Sequence, residues 1–303
     1  MLFRSGYSHW KEIGRGELSQ MERSRLDLGV EVPVFCRFNL SLTGHRWLES
    51  PRSYGSSAEA FGPTLALGGQ VTPSLKAAAS WTHKDYQRAE LADRDNGQAE
   101  LWYNLADRVN LGAGFIREDH LSNAFALAQG IQRDSWWLGF KSDLSRAWSL
   151  EGRAAWQRYS DDNRGMHYNL ALGRVFSDHP RIFKISLRAD YRDTDEPDQY
   201  RYLGPTLVDI VHPYWSPQDN LAGAVIFQWR HDLARQFYCG AQQHFYDIRL
   251  NLGTDTENNP AAAIEAQWVY QFSDRWAAEA KGLVHRSREW DAQGVWLNLA
   301  YRF

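Results

Sequence analysis

Residues 183–192 read Phe-Lys-Ile-Ser-Leu-Arg-Ala-Asp-Tyr-Arg. Phe183, Ile185, Leu187, Ala189 and Tyr191 fall on one side of an extended chain. Lys184, Ser186, Arg188, Asp190 and Arg192 fall on the other. A strict period of two argues for a β-strand, because successive side chains point to opposite faces. Both faces are uninterrupted over ten residues, and one carries full charges in mid-strand. A strand in a soluble sandwich is usually about five or six residues long. A tilted strand that crosses a bilayer needs about 9–11.

The same pattern extends outward along the chain. Leu26, Leu28, Val30 and Val32 oppose Arg25, Asp27 and Glu31, and the run ends at Pro33. Cys36, Phe38, Leu40 and Leu42 oppose Arg37, Asn39, Ser41 and Thr43. Leu75, Ala77, Ala79 and Trp81 oppose Lys76, Ser80, Thr82 and Lys84, and Trp148, Leu150, Ala154 and Trp156 oppose Glu151, Arg153 and Gln157. Ile264, Ala266, Trp268, Tyr270 and Phe272 oppose Glu265, Gln267 and Gln271, and Val295, Leu297, Leu299, Tyr301 and Phe303 close the chain. Divided at the turn signals, the 303 residues give sixteen strands: 2–10, 24–32, 35–47, 57–71, 74–86, 96–106, 109–119, 132–144, 147–159, 164–177, 181–193, 218–231, 236–252, 259–272, 275–287 and 292–303. The alternation slips between Phe237 and Tyr246, which predicts a β-bulge there.

Composition agrees with an all-β membrane protein. Mean hydropathy is −0.57 and aromatics make up 14% of the chain. No run of about 18 apolar residues is present, which excludes a transmembrane helix. The net charge of −3 gives no reason to expect nucleic acid. Two cysteines, Cys36 and Cys239, make no disulfide framework, and their spacing is not that of a zinc site. Connections alternate between tight turns (33–34, 72–73, 107–108, 145–146, 178–180, 232–235, 273–274) and longer polar loops (11–23, 48–56, 87–95, 120–131, 194–217, 253–258), with 160–163 and 288–291 short but polar. Bacterial outer-membrane barrels have short periplasmic turns, longer extracellular loops and an even strand number. The expected fold is therefore one antiparallel up-and-down transmembrane β-barrel over residues 1–303, in the bacterial outer membrane. Aromatics should form two interface rings, with Trp148, Phe176, Phe272, Trp276 and Phe303 on the turn side and Trp47, Trp81, Trp156 and Tyr191 on the loop side.

The polar faces should line a lumen. Its basic set is Arg25, Arg37, Lys76, Lys84, Lys141, Arg153, Lys184, Arg188, Arg192, Arg230 and Lys281, and its acidic set is Asp27, Glu31, Glu100, Glu118, Asp143, Glu151, Asp190, Glu265 and Glu279. These nearly cancel, and Trp102, Trp137, Gln157 and Gln267 lie among them. A bipolar wall with aromatics suits a neutral polar solute such as a glycan. It is equally what lumen charges paired across strands would give. No catalytic constellation emerges. The ten histidines, among them His83, His120, His167, His244 and His285, have no nucleophile or acid at a telling spacing, so neither an enzyme nor a cofactor is expected. The acidic clusters Asp161-Asp162 and Asp193, Asp195, Glu196, Asp198 offer oxygen ligands, but a solvated loop is the expected reading and no metal is assigned.

Two stretches carry a family resemblance. Tyr159-Ser160-Asp161-Asp162-Asn163-Arg164, followed by a strand with His167, Asn169 and Leu170, resembles the acidic hairpin and next strand of synthase-dependent exopolysaccharide export proteins. Tyr214-Trp215-Ser216-Pro217-Gln218 resembles the aromatic–Ser–Pro element that begins a strand in the poly-β-1,6-N-acetylglucosamine and cellulose exporters. The ending Leu297-Asn298-Leu299-Ala300-Tyr301-Arg302-Phe303 is similar to the terminus of most outer-membrane barrels. The resemblance covers roughly 130–303 and implies export of a polysaccharide. It also implies partners: an upstream periplasmic tetratricopeptide region and an inner-membrane glycosyltransferase. Residues 1–12 have no apolar signal segment, so the sequence is expected to be a fragment starting at a supplied Met1. The 194–217 loop is the expected gate of the outer mouth. A general diffusion porin, a surface receptor barrel and a barrel-embedded hydrolase are the alternatives.

Overall fold

A strand's backbone can be satisfied inside hydrocarbon if both its edges are paired, and sixteen amphipathic ribbons meet that demand by closing on themselves. The computed structural model describes residues 1–14, 19–34, 37–52, 55–234 and 243–303. In chain order the strands are β1 (Leu2–Gly14), β2 (Met21–Val34), β3 (Phe38–Pro51), β4 (Ala58–Thr72), β5 (Leu75–Tyr86), β6 (Arg94–Ala106) and β7 (Val109–Asp119). After helix α1 (Ala124–Gln129) come β8 (Gln132–Asp143), β9 (Trp148–Tyr159), β10 (Arg164–Ser177) and β11 (Arg181–Thr194). A small hairpin, β12 (Gln199–Leu203) and β13 (Thr206–Val211), precedes β14 (Asn220–Asp232), β15 (His244–Asp255), β16 (Ala261–Gln271), β17 (Trp276–Ser287) and β18 (Trp290–Arg302). All but β12 and β13 form one closed antiparallel barrel, sealed by β1 against β18 with Phe3 opposite Tyr301 and Gly14 opposite Trp290.

The sixteen predicted strands correspond to the sixteen wall strands, with ends displaced by a few residues, except that the predicted start of β15 at 236 lies outside the described residues. Two differences have a physical reason. The 120–131 and 194–217 segments were read as plain loops, yet they hold α1 and the β12–β13 hairpin. Six helical residues are too few to set up a visible helical period, and α1 depends on its caps: the Asn123 side chain accepts from the Ala126 N–H at 2.9 Å, and Gly130 closes the helix at φ 68°. The second difference is at β14, which begins at Asn220 and not at 218, because Pro217 is used to hold the preceding segment (below). The expected bulge between Phe237 and Tyr246 falls largely outside the described residues, as do Cys36 and Cys239. Register shifts are found instead next to tight turns, at Gln70/Thr72, Asn104/Ala106 and Val175/Ser177.

Turn chemistry explains the sharp ends. The hydroxyls of Thr72, Ser145 and Ser273 each accept from the backbone N–H groups two and three residues on. Ser287 does the same on the opposite rim. Three of these turns read Ser-x-x-Trp (Ser145–Trp148, Ser273–Trp276, Ser287–Trp290). Such hydroxyl-closed turns mimic a backbone turn and set the next strand's start.

The outward face is apolar over the middle of the wall. Leu28, Leu42, Leu65, Leu138, Leu170, Leu187 and Leu297 are all between 45% and 60% exposed, with nothing but lipid to cover them. On the turn side, outward rings touch one another in series: Phe176 with Phe183, Phe183 with Trp229, Phe272 with Trp276, Trp276 with Tyr301, and Tyr301 with Phe303. On the loop side, outward cross-strand charge pairs mark the upper boundary: Arg46–Glu59, His83–Asp95 at 3.0 Å, Arg117–Asp134 at 2.6 Å and Arg286–Asp291 at 3.3 Å. Trp47 departs from the expected girdle. It shares the inward face with His45, whose ring lies 4.9 Å away, and packs against the buried cluster of Met21, Ala58, Ala60, Tyr86, Leu121 and Leu127. Its neighbour Arg46 holds the outward position, and simple counting of the period from Leu42 would have placed both.

Leu187→Arg puts a charge on the lipid face at mid-strand, and is expected to cost roughly 2–4 kcal/mol. Ser186→Arg, one residue away and facing the lumen, is expected to cost far less. Urea unfolding in lipid vesicles, followed by tryptophan fluorescence, compares the two; equal losses would reverse the assignment of faces.

Candidate functional site

The inward positions of neighbouring strands line up as polar rows. Asp27 of β2 takes Arg25 at 2.9 Å and His45 Nδ1 at 2.6 Å; His45 Nε2 lies 2.8 Å from Thr64, and Thr64 lies 2.6 Å from Thr82. Asp190 is held by Arg188 at 2.8 Å, Arg192 at 3.0 Å and His167 at 3.1 Å. Glu265 takes Lys281 at 2.9 Å and Arg249 at 3.5 Å, and Gln267 donates to Glu279 at 2.6 Å. Arg230 turns to Asp232 at 3.1 Å and over the Phe245 ring. Arg153 covers Trp137, its guanidinium 4.3 Å from the ring centroid, and Lys141 stands 4.9 Å from the centroid of Trp102. Among the described residues, Lys76, Glu100, Lys141, Asp143, Glu151, Arg153, Lys184 and Glu279 have no ion pair. The predicted lumen residues thus share one interior, and part of their charge is paired along the wall.

Sequence reasoning missed Glu49, Asp119 and Arg94. Lys84 donates to Glu49 at 2.6 Å and to Asp119 at 2.9 Å, and Tyr86 O–H donates to Glu49 at 2.8 Å. Arg94 donates to the Leu127 carbonyl at 2.6 Å. All lie at the loop-side end of the inner wall; Glu49, Lys84, Tyr86 and Arg94 are buried and the Asp119 side chain is 6% exposed, so each charge needs the others. What buries them is the 120–131 segment. Leaving β7, it turns inward, and Leu121 and Leu127 pack on the inner wall of β2, β4 and β5. Ser122 O accepts from Gln20 N at 2.9 Å, tying the segment to the β1–β2 connection.

Its other side meets the segment between β11 and β14. Tyr214 is fully buried and stacks on Tyr159 with centroids 4.3 Å apart, and His120 sets its edge against both rings. Pro213 O accepts from Ser122 Oγ at 2.7 Å and from Asn123 Nδ2 at 3.1 Å. Asp161 accepts from Tyr214 O–H at 2.9 Å and pairs with His212 Nδ1 at 2.7 Å, while His212 Nε2 lies 3.1 Å from Glu196. Asn163 clasps Glu196 through both its N–H and its C=O. Pro217 O takes both the N–H and the hydroxyl of Thr194 at 2.9 Å, pinning the corner before β14. Ser216 is buried, whereas Trp215 is exposed beside Arg192 and Gln218 is exposed. The two stretches 159–164 and 214–218 are therefore brought together, and the acidic residues Asp161 and Glu196 serve as clasps.

This assembly is a cap that bridges the mouth. The 120–131 segment touches β2, where Leu121 packs with Met21, and also the segment that leaves β11, where Ser122 meets Pro213. These two strands are seven apart around the ring in one direction and nine in the other, nearly a diameter. Burial first, then Arg133, Arg23 and Arg192, pushes the His120 pKa down to about 3. Burial works against charge on His212 too, but its hydrogen bonds to Asp161 and Glu196 outweigh it and raise the pKa.

His9 Nδ1 lies 2.9 Å from Ser24 Oγ on the outward face, with Glu22 3.7 Å from Nε2. That carboxylate is beyond hydrogen-bond reach, and the neighbouring strand N–H groups are committed to the β1–β2 and β1–β18 ladders, leaving no oxyanion donor there.

No protein-family model matches the sequence, and no curated protein sequence matches it. Among solved structures, the chain is similar to a bacterial polysaccharide outer membrane secretin, with 13% identity, a TM-score of 0.75, and coverage of 100% of this chain and 98% of that one. OccK7 (OpdD) of Pseudomonas aeruginosa matches at 12% identity and TM-score 0.44, covering 99% and 97% of the two chains, and OccAB4 of Acinetobacter baumannii at 9% and 0.45, covering 99% and 96%. The fold expected is the fold found: a closed antiparallel β-barrel similar in shape to that structure over its full length.

The two histidines make docking of the cap pH-dependent in opposite senses. Freed to water, each titrates near about 6.5. His120 is neutral when docked, so its contribution is complete above about 6.5 and is lost as pH falls toward its depressed value. His212 is favoured charged, so its contribution is complete below about 6.5 and is lost as pH rises through its raised value. Planar-bilayer conductance is expected to be lowest near neutrality and to rise at pH 5 and in mild alkali. His120→Gln should flatten the acid limb and His212→Gln the alkaline limb; a profile flat from acid to alkali would contradict the docking role of both.

Proposed function

We propose that the barrel is the conduit through which a secreted polysaccharide crosses the outer membrane. The observation that carries this is the lumen wall: charges of both signs, in part paired with each other, interleaved with tryptophans and amides, inside a barrel wide enough for an aqueous path. A polymer in transit needs weak and repeated contacts. Self-paired charges provide them, since they neither attract nor repel a neutral chain strongly, and hydroxyls exchange hydrogen bonds with Gln157, Gln267 and Glu279 at little net cost. Glu100, Trp102, Trp137, Lys141, Glu151, Arg153, Lys184, Arg188, Asp190, Arg192, Arg230, Glu265 and Lys281 belong to the same path. The full-length likeness to a protein described as a polysaccharide secretin supports the assignment.

The cap favours export over free diffusion. A general diffusion porin works with its mouth open, whereas here two segments meet across it. Opening would separate Tyr214 from Tyr159 and His120, an aromatic cluster of the kind worth about 0.5–1.5 kcal/mol per pair beyond its burial. Tyr214 through Gln218 act in this reading as part of the gate, not as a cargo contact. The polymer would arrive from an inner-membrane glycosyltransferase through a periplasmic tetratricopeptide region upstream of the barrel. No catalytic step is assigned to the barrel.

Two measurements test this. Deleting the gene should abolish the secreted glycan while small-solute uptake stays intact, and normal secretion would refute the proposal. Removing residues 195–217 or introducing Tyr214→Ala should raise conductance several-fold, with the larger effect for the deletion; unchanged conductance in both would remove the gate.

A further inference from the structure

The inner wall is not evenly lined, because four of its tryptophans form two pairs laid over glycine. Trp102 of β6 and Trp137 of β8 lean toward each other across β7, with ring centroids 5.5 Å apart. They can do so because β7 presents Gly112 and Gly114. A Cβ on Gly112 would lie 2.8 Å from the Trp102 ring, and one on Gly114 would lie 2.6 Å from Trp137 Nε1. Bare backbone lets both rings lie along the wall and keeps them from standing across the channel. Arg153 closes over Trp137, which is 4% exposed. Trp102 borders a recess of about 350 Å3 with Gln70, Lys76, Ala78 and Glu100.

We infer that this recess is a stacking subsite for one pyranose ring of the transported glycan, an inference that rests on the conduit proposed above. A pyranose offers an apolar C–H face and a rim of hydroxyls. Its counterpart is an aromatic face rimmed by separate acceptors and donors, the arrangement by which a mostly apolar pocket with a few placed polar groups fixes orientation. Trp102 supplies the face. Glu100, oriented by Trp102 Nε1 at 3.4 Å, supplies the acceptor. Lys76 supplies a donor; its Cα is in register with both Gln70 and Trp102, and it has no ion pair among the described residues. Gln70 spends its N–H on Pro73 O at 2.9 Å, which leaves its carbonyl oxygen for a hydroxyl.

The same construction recurs on the far wall. Trp10 of β1 and Trp296 of β18 lie 5.8 Å apart, and a Cβ on Gly294 would fall 2.5 Å or less from both rings. Lys281 stands 5.4 Å from the Trp296 centroid, as Lys141 stands by Trp102. β18 is eight strands from β8 around the ring. Trp102 lies four residues from the turn-side end of β6, and Trp10 four residues from the loop-side end of β1. A chain rising through the lumen would meet one ring low on one wall and another high on the opposite wall.

Cellohexaose, a neutral β-linked hexasaccharide, titrated calorimetrically into the detergent-purified full chain is the probe. Saturable binding is expected, weakened roughly tenfold or more in Trp102→Ala. Gly112→Val, which keeps the tryptophan but fills its floor, should weaken it similarly. Trp156→Ala, on the lipid face, should bind as the wild type does. Heat-modifiable migration verifies that each barrel is folded; should Trp102→Ala fail that test, Gly112→Val and Lys76→Met carry the measurement. Wild-type affinity in Gly112→Val and in whichever other variants fold overturns the subsite, as does the absence of saturable binding to the wild type up to about 10 mM. The subsite and the conduit can fail separately. Normal glycan secretion by the deletion strain refutes the conduit and leaves Trp102-dependent binding standing, while lost secretion with Trp102-independent binding refutes the subsite alone.

Discussion

Every backbone N–H and C=O that lies at membrane depth has to find a partner within the protein, and that demand organises this molecule. Hydrocarbon offers no water to accept or donate, so an open sheet edge is excluded. Pairing of β1 with β18 removes both edges at once. From this closure follows the division of each strand into a lipid side and a lumen side. From that division follows the strict period of two, and the tolerance of full charges in mid-strand on one face and not on the other. The wall strands, 11 to 15 residues long, exceed the minimum needed to cross. Their surplus length on the loop side carries the outward charge pairs outside and the buried Lys84–Glu49–Asp119 network inside.

Closure also creates the problem that the cap answers. A wide barrel with a polar interior is an open hole. Here the β7–β8 connection folds inward and leans on the inner wall of β2–β5, and the β11–β14 connection comes from the other side to meet it at Tyr214. The contact is dense but modest in chemistry: one stacked tyrosine pair, one histidine edge, two carboxylates and a proline carbonyl. None of it is covalent, which suits the gate proposed above. The lumen below obeys the opposite logic. Its ion pairs run along the wall, within one strand as for Arg188–Asp190 or between neighbouring strands as for Lys281–Glu265, and do not cross the channel.

Much of the barrel was legible because β-structure writes its faces directly into sequence order. Lys184, Arg188 and Asp190 could be assigned to the lumen without any knowledge of their neighbours. Trp47 shows where that legibility ends: residue type suggests an interface anchor near a strand end, whereas parity with His45 places it inward. The Ser-x-x-Trp turns were a local signal that went unread. Helix α1 was beyond reach for a different reason, since a six-residue helix is stabilised by what it packs against and has too few residues to declare a period.

The sequence by itself determined the wall: strand number, the lipid and lumen faces, the side on which turns and loops emerge, and the near-neutrality of the lining. These depend on alternation and on turn residues, which are properties of neighbours along the chain. Only the tertiary structure decided which charges cancel, which tryptophans lie flat on glycine, and that residues 120–131, 159–164 and 195–217 meet across the mouth. Those outcomes depend on register between strands and on contacts such as Ser122 with Pro213, ninety-one residues apart. No local periodicity records a partner at that distance, because the partner is set by closure of the ring.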